Sequence, residues 1–94
     1  MRGKVIVRKN LANSGWYTIF HGESGQLYYA ELVPIQELTM ECHVFYCNTE
    51  GDNNSNIEWD RRIYCKQVTL PMPMAFQKCI EEFLGYPVDM EIIC

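Results

Sequence analysis

A chain of 94 residues with 48% hydrophobic and 21% charged side chains has the composition of one folded domain, residues 1–94, not of a disordered segment. Its net charge of −4 disfavours nucleic acid and anionic membrane as partners, because both require clustered Lys and Arg. There is no run of about 18 apolar residues to span a membrane, and the first residues lack the apolar stretch of a secretory signal, so a cytoplasmic location is expected.

Lys4 to Lys9 reads as a short strand with Val5 and Val7 on one face, and Asn10 to Gly15 punctuates it as a loop. Trp16 to His21 and Gln26 to Val33 are β-rich runs separated by Gly22-Glu23-Ser24-Gly25, a connection typical of a hairpin. Symmetric pairing sets Phe20 opposite Leu27, Ile19 opposite Tyr28 and Thr18 opposite Tyr29. One face then carries Trp16, Phe20, Leu27 and Tyr29, the other Tyr17, Ile19, Tyr28 and Ala30, and neither is polar. Pro34 cannot donate to a ladder, so the strand is expected to end or reach a sheet edge there, with Ile35 to Leu38 as a connection.

Thr39 to Asn48 alternates, with Met40, Cys42, Val44 and Tyr46 against Glu41, His43, Phe45 and Cys47. Thr49 to Asn56 is rich in Asn, Asp and Gly and reads as an exposed loop; Ile57 to Leu70 resumes strand character and completes a second hairpin. Pro71-Met72-Pro73 opens a helix with Met72, Phe76, Cys79, Ile80, Phe83 and Leu84 on one face and Gln77, Lys78, Glu81 and Glu82 toward water. Gly85 caps it, Pro87 prevents its resumption, and Val88 to Cys94 alternates as a final strand.

These elements predict an α+β domain: a curved, mainly antiparallel sheet of five or six strands with one C-terminal helix packed on it. A helix of about 12 residues is about 18 Å long and about 10 Å wide, enough to shield two or three strands spaced about 4.8 Å apart. The uncovered aromatic face then calls for strong sheet curvature or a second copy of the chain, so a homodimer or larger homo-oligomer is expected.

Five cysteines, Cys42, Cys47, Cys65, Cys79 and Cys94, form an odd set without Cys-x-x-Cys spacing and point to buried, reduced thiols. If the second hairpin turns around residues 51 to 57, His43 falls near Cys65, with Cys47 further along the same face. Phe45 between them argues for core, so packed thiols and a partly exposed imidazole are expected, with neither metal nor cofactor. Cys42 and His43, adjacent in a strand, point to opposite faces and cannot form a nucleophile–base pair; Cys65 and Lys66 fail likewise.

The candidate binding residues are Trp59, Arg61, Arg62 and Tyr64, in the run Glu58 to Tyr64, together with His21 and Glu23 at the first hairpin tip. Trp, Tyr and Arg dominate the energetic centres of interfaces, and Arg forks read carboxylates and phosphates. The bland counterpart is Arg pairing with Glu58 or Asp60 on a solvated edge strand. The leading expectation is a small noncatalytic binding module that acts as a homo-oligomer and engages a protein partner, as an inhibitor or accessory factor. The alternatives are a binder of a small anion such as a nucleotide in an intersubunit pocket lined by Arg61, Arg62 and Trp59, and a hydrolase using His21 or His43.

Overall fold

The computed structural model describes residues 2–48, 56–69 and 71–93. In chain order the elements are β1 (Gly3–Asn10), β2 (Gly15–His21), β3 (Leu27–Gln36), β4 (Thr39–Cys47), β5 (Ile57–Val68), α1 (Met74–Leu84) and β6 (Val88–Ile93). They build one six-stranded sheet in the order β5-β4-β3-β2-β1-β6, curved and unclosed, with α1 on one face. Neighbouring strands are antiparallel except β1 and β6, which run parallel from Gly3↔Val88 to Arg8↔Ile93. α1 therefore carries the chain from one edge of the sheet to the other. The exposed loop expected at Thr49 to Asn56 lies, but for Asn56, outside the described residues, as does Cys94.

The helix covers more than two or three strands. The core beneath it joins Val5, Val7, Phe20, Leu32, Cys42 and Val44 to Ala75, Phe76, Cys79 and Ile80, and Tyr64, Val68 and Val88 bring in both edge strands. The sheet wraps its concave face around α1, which a flat-sheet estimate misses. Each large aliphatic or aromatic side chain fully buried here contributes about 1.5–3 kcal/mol.

The helix spans Met74–Leu84 and closes as expected, with Gly85 at φ 86° donating its N–H to the Glu81 carbonyl at 2.8 Å. Gln77 and Glu81, expected to face water, instead clamp the start of β6. Gln77 Nε2 donates to the Val88 carbonyl and the Val88 N–H donates to Glu81 Oε2, both at 3.0 Å.

In two places the strands differ from the expected pattern. The first hairpin is one residue out of the expected register: His21 pairs with Leu27, Phe20 with Tyr28 and Ile19 with Tyr29. Its loop runs from Gly22 to Gln26, closed by Gly22 N–H to the Gln26 carbonyl and Gly25 N–H to the Gly22 carbonyl, with Gly25 at φ 88°. A one-residue slip turns every β3 side chain over. Tyr28, Ala30 and Leu32 thus face α1, while Leu27, Tyr29 and Glu31 face away.

β3 runs on past Pro34, which pairs with Met40 before a shift in register toward Gln36, so the connection is Glu37-Leu38 and Pro34 meets the other expectation, a position at a local sheet edge. The ladder with β2 stops at Trp16↔Leu32. Pro34 lies beyond that ladder, where its missing N–H costs no hydrogen bond to β2.

Candidate functional site

The alternation of β4 is as expected, with Met40, Cys42 and Val44 under α1 and Phe45 and Cys47 on the helix-free face. On that face a single register row crosses all six strands: Ile93, Arg8, Tyr17, Glu31, His43 and Cys65. Beside it lies a second, smaller cluster in which Tyr29, Phe45, Cys47 and Ile57 are buried and Tyr17, Ile19 and Leu27 are partly so.

The cover over this cluster comes from β5. Its ladder with β4 slips twice, from Val44↔Tyr64 to Phe45↔Arg62 and then to Cys47↔Ile57. The extra β5 residues bend that strand across the face. Trp59 ends up edge-on to both Tyr29 and Phe45, with ring centroids 5.4 and 5.1 Å away, and remains 46% exposed. Much of the apolar surface expected to need a second chain is thus covered by the chain's own edge strand.

The same slips divide the run Glu58 to Tyr64. Trp59 and Arg62 reach the helix-free face, and Arg62 Nη1 donates to His43 Nδ1 at 3.2 Å. Arg61 bonds Glu58 at 3.1 Å and lies 4.2 Å above the ring of Tyr46, a residue of the helix-side register. Tyr64 packs edge-on against Phe83 and donates its hydroxyl to Glu82 Oε1 at 2.8 Å, where Lys66 Nζ holds Oε2 at 2.8 Å. Both guanidinium groups are engaged, and the Arg61–Glu58 pair is the solvated-edge arrangement weighed for it. His21 and Glu23 are exposed at the β2–β3 turn, in the middle of the strand order with β4 between that hairpin and β5.

Around Tyr64 the charges shape one another. Lys66, then Tyr64, by hydrogen bonding, hold the Glu82 carboxyl below its usual range. Burial, then the bond to Glu82, pushes the Tyr64 phenol up. Deeper, under α1, its hydrogen bond to Cys79 and burial push the Cys42 thiol up.

The polar centre of the helix-free face is His43, 8% exposed and not the partly exposed imidazole expected. Guanidinium groups only donate, so Nδ1 must accept from Arg62, and Nε2 carries the proton that meets Glu41 Oε1 at 2.8 Å. Tyr29 extends the network by donating to Glu31 Oε1 at 3.2 Å. With both ring nitrogens taken, His43 has no lone pair for the Cys65 thiol, so the three residues do not form a nucleophile–base triad in this arrangement.

Cys65 is exposed, against the expectation of buried thiols, whereas Cys42, Cys47 and Cys79 are buried. His43 and Cys65 are direct register partners, but Cys47 pairs with Ile57 and belongs to the apolar cluster. Glu41 takes the place considered for Cys47: the Glu41, His43 and Cys65 ligand atoms all lie within 4.8 Å of one another. Its position was readable, since residues two apart in a strand share a face. Cys47, four residues from His43, is about 13 Å along the strand.

A separate cavity of about 370 Å³, lined by Pro34, Gln36, Leu38, Thr39, Met40, Thr69 and Pro71, carries no ionisable side chain among the described residues. Comparison with known proteins finds no matching family model, no matching curated protein and no matching solved structure.

Proposed function

We infer that this chain is a small noncatalytic binding module that works as a homo-oligomer and engages a protein partner, as an inhibitor or accessory factor, through its helix-free face. One observation carries the reading. Trp59, 46% exposed, caps the buried rings of Tyr29 and Phe45, with Arg8, Glu31, Glu41 and Arg62 on the same face. An aromatic centre with a charged rim is the usual anatomy of a protein contact, and Trp, Tyr and Arg are its usual anchors.

Self-association draws support from the order of charges. Arg8 lies toward one end of the register row and Glu31 toward the middle, with Glu41 nearby on β4. A second copy turned by a two-fold axis sets the basic end of one row over the acidic part of the other.

Size-exclusion chromatography with light scattering tests this. A dimer or larger assembly that dissociates on Trp59→Ser and Tyr17→Ser is expected, whereas a wild-type monomer at several hundred micromolar sinks the reading. An anion binder would have to displace Glu58 from Arg61 and His43 from Arg62. Adding a nucleotide is accordingly expected to leave the melting temperature unchanged, and a saturable rise would favour that alternative.

A further inference from the structure

We propose that Glu41, His43 and Cys65 form a site for a divalent transition metal of the zinc class. The proposal is independent of the protein-binding reading and rests on what the β4–β5 ladder places together.

Three donor types converge: a carboxylate, an imidazole and a thiol, with ligand atoms all within 4.8 Å of one another. Their backbones are fixed by the sheet, since His43 and Cys65 are register partners and Glu41 precedes His43 by two on the same face. Bonds of about 2.0–2.3 Å to a tetrahedral ion put neighbouring ligand atoms about 3.3–3.7 Å apart. Glu41 Oε1 and His43 Nε2, at 2.8 Å, are already inside that span, so they need to separate slightly. The sulfur closes the remaining gap of about 1 Å at most by side-chain rotation, which its exposure permits.

The donor set selects the ion. Thiolate and imidazole suit zinc-like metals and are poor ligands for magnesium or calcium. When Cys65 gives its thiol proton to water, the thiolate and the Glu41 carboxylate balance the double positive charge. Three protein ligands on a solvent-facing sheet leave the fourth position to water, the pattern of an exchangeable site and not of a sealed structural one.

His43 makes the site conditional. Without metal, Arg62 donates to Nδ1 and so holds the imidazole proton on Nε2, the nitrogen turned toward Glu41. An ion on Nε2 requires that proton to move to Nδ1, where Arg62 cannot accept it. Arg62, exposed on β5, must therefore release the ring as metal enters. Arg62 and the metal compete for one imidazole.

The test uses the full, reduced, metal-free chain titrated with Co2+ as a spectroscopic probe and back-titrated with Zn2+. One equivalent of Co2+ is expected to give a thiolate-to-cobalt charge-transfer band with four-coordinate visible absorption, bleached by Zn2+. Cys65→Ser, at an exposed position that tolerates the change, is expected to abolish the band, and Glu41→Gln to weaken binding at least about 10-fold. Arg62→Gln is expected to tighten binding about 3- to 10-fold by freeing Nδ1. Absence of the band at one equivalent, or its survival in Cys65→Ser, overturns the site; weaker binding in Arg62→Gln overturns the competition. His43→Gln should bind no better than Cys65→Ser, and if it unfolds the chain the Cys65 and Glu41 variants still decide.

Discussion

Trp59 stands edge-on to Phe45, 5.1 Å between ring centroids, although the ladder joining their strands pairs Phe45 with Arg62. The contact exists because β5 carries more residues than β4 between its two register shifts and bends over the helix-free face. Removing the indole uncovers Phe45 and Tyr29 together. Trp59→Ala is expected to cost about 1–2 kcal/mol, less than a fully buried aromatic because the ring is half exposed. Urea unfolding followed by far-ultraviolet dichroism measures this; an unchanged midpoint would show that the ring does not seal the cluster.

Thr18 is 1% exposed under the helix and donates its hydroxyl to the Ile6 carbonyl at 2.6 Å, tying β2 to β1 beyond their ladder. Thr18→Val keeps the shape and removes the donor. A loss of about 1 kcal/mol is expected in chemical denaturation. Equal or greater stability would mean that apolar gain outweighs that bond.

Two glycines separate crowding from backbone strain. At Gly15 a Cβ would lie 2.4 Å from the Leu32 carbonyl oxygen, a backbone atom, so strands must part to admit it. Gly15→Ala is expected to cost about 1–3 kcal/mol. Gly85 has open space around it but sits at φ 86°, so Gly85→Ala is expected to cost about 1–2 kcal/mol through strain alone. Nuclear magnetic resonance shifts should spread through β2 and β3 in the first variant and stay near the end of α1 in the second; the reverse pattern would contradict both accounts.

Stability should fall at both ends of the pH scale for identifiable reasons. Hydrogen bonds from Lys66 and Tyr64 lower the Glu82 carboxyl from 4.5, and one from Arg2 lowers the Asp89 carboxyl from 3.8. A carboxyl whose folded value is depressed stabilises the fold fully above its unfolded value and ceases to do so as pH falls through the folded one. The acid loss therefore falls below about pH 4.5, and Glu82→Gln should flatten part of it. Burial raises the Tyr64 phenol above 10.0, so its contribution is complete below pH 10 and lost as pH rises beyond. Tyr64→Phe should remove that alkaline component; an unchanged high-pH slope would place the titration elsewhere.

The legible part of this fold was carried by periodicity. The helical spacing of Phe76, Cys79 and Ile80 and the alternation Met40 to Cys47 read directly as one helix face and two strand faces. Register was harder, because the Gly22 to Gln26 loop can close with one residue more or fewer and a single step exchanges Tyr28 for Tyr29 across the sheet. The bulges of β5 had no local signal, yet they decide that Arg62 reaches His43 while Arg61 turns to Glu58 and Tyr46. A turn around residues 51 to 57 brings His43 near Cys65, but the ladder reaches that pairing only through the two β5 slips, and Glu41, two residues from His43, lies far nearer to it along the strand than Cys47 does.

The parallel seam between β1 and β6 joins residues such as Gly3 and Val88 that are far apart in sequence. During synthesis, β1 must wait for residues 88–93 to leave the ribosome before it gains its outer neighbour, and until then its edge is open to strands of other molecules. A translation product stopped before Val88 is therefore expected to sediment as aggregate, and supplying the missing strand as a separate peptide should return it to the supernatant.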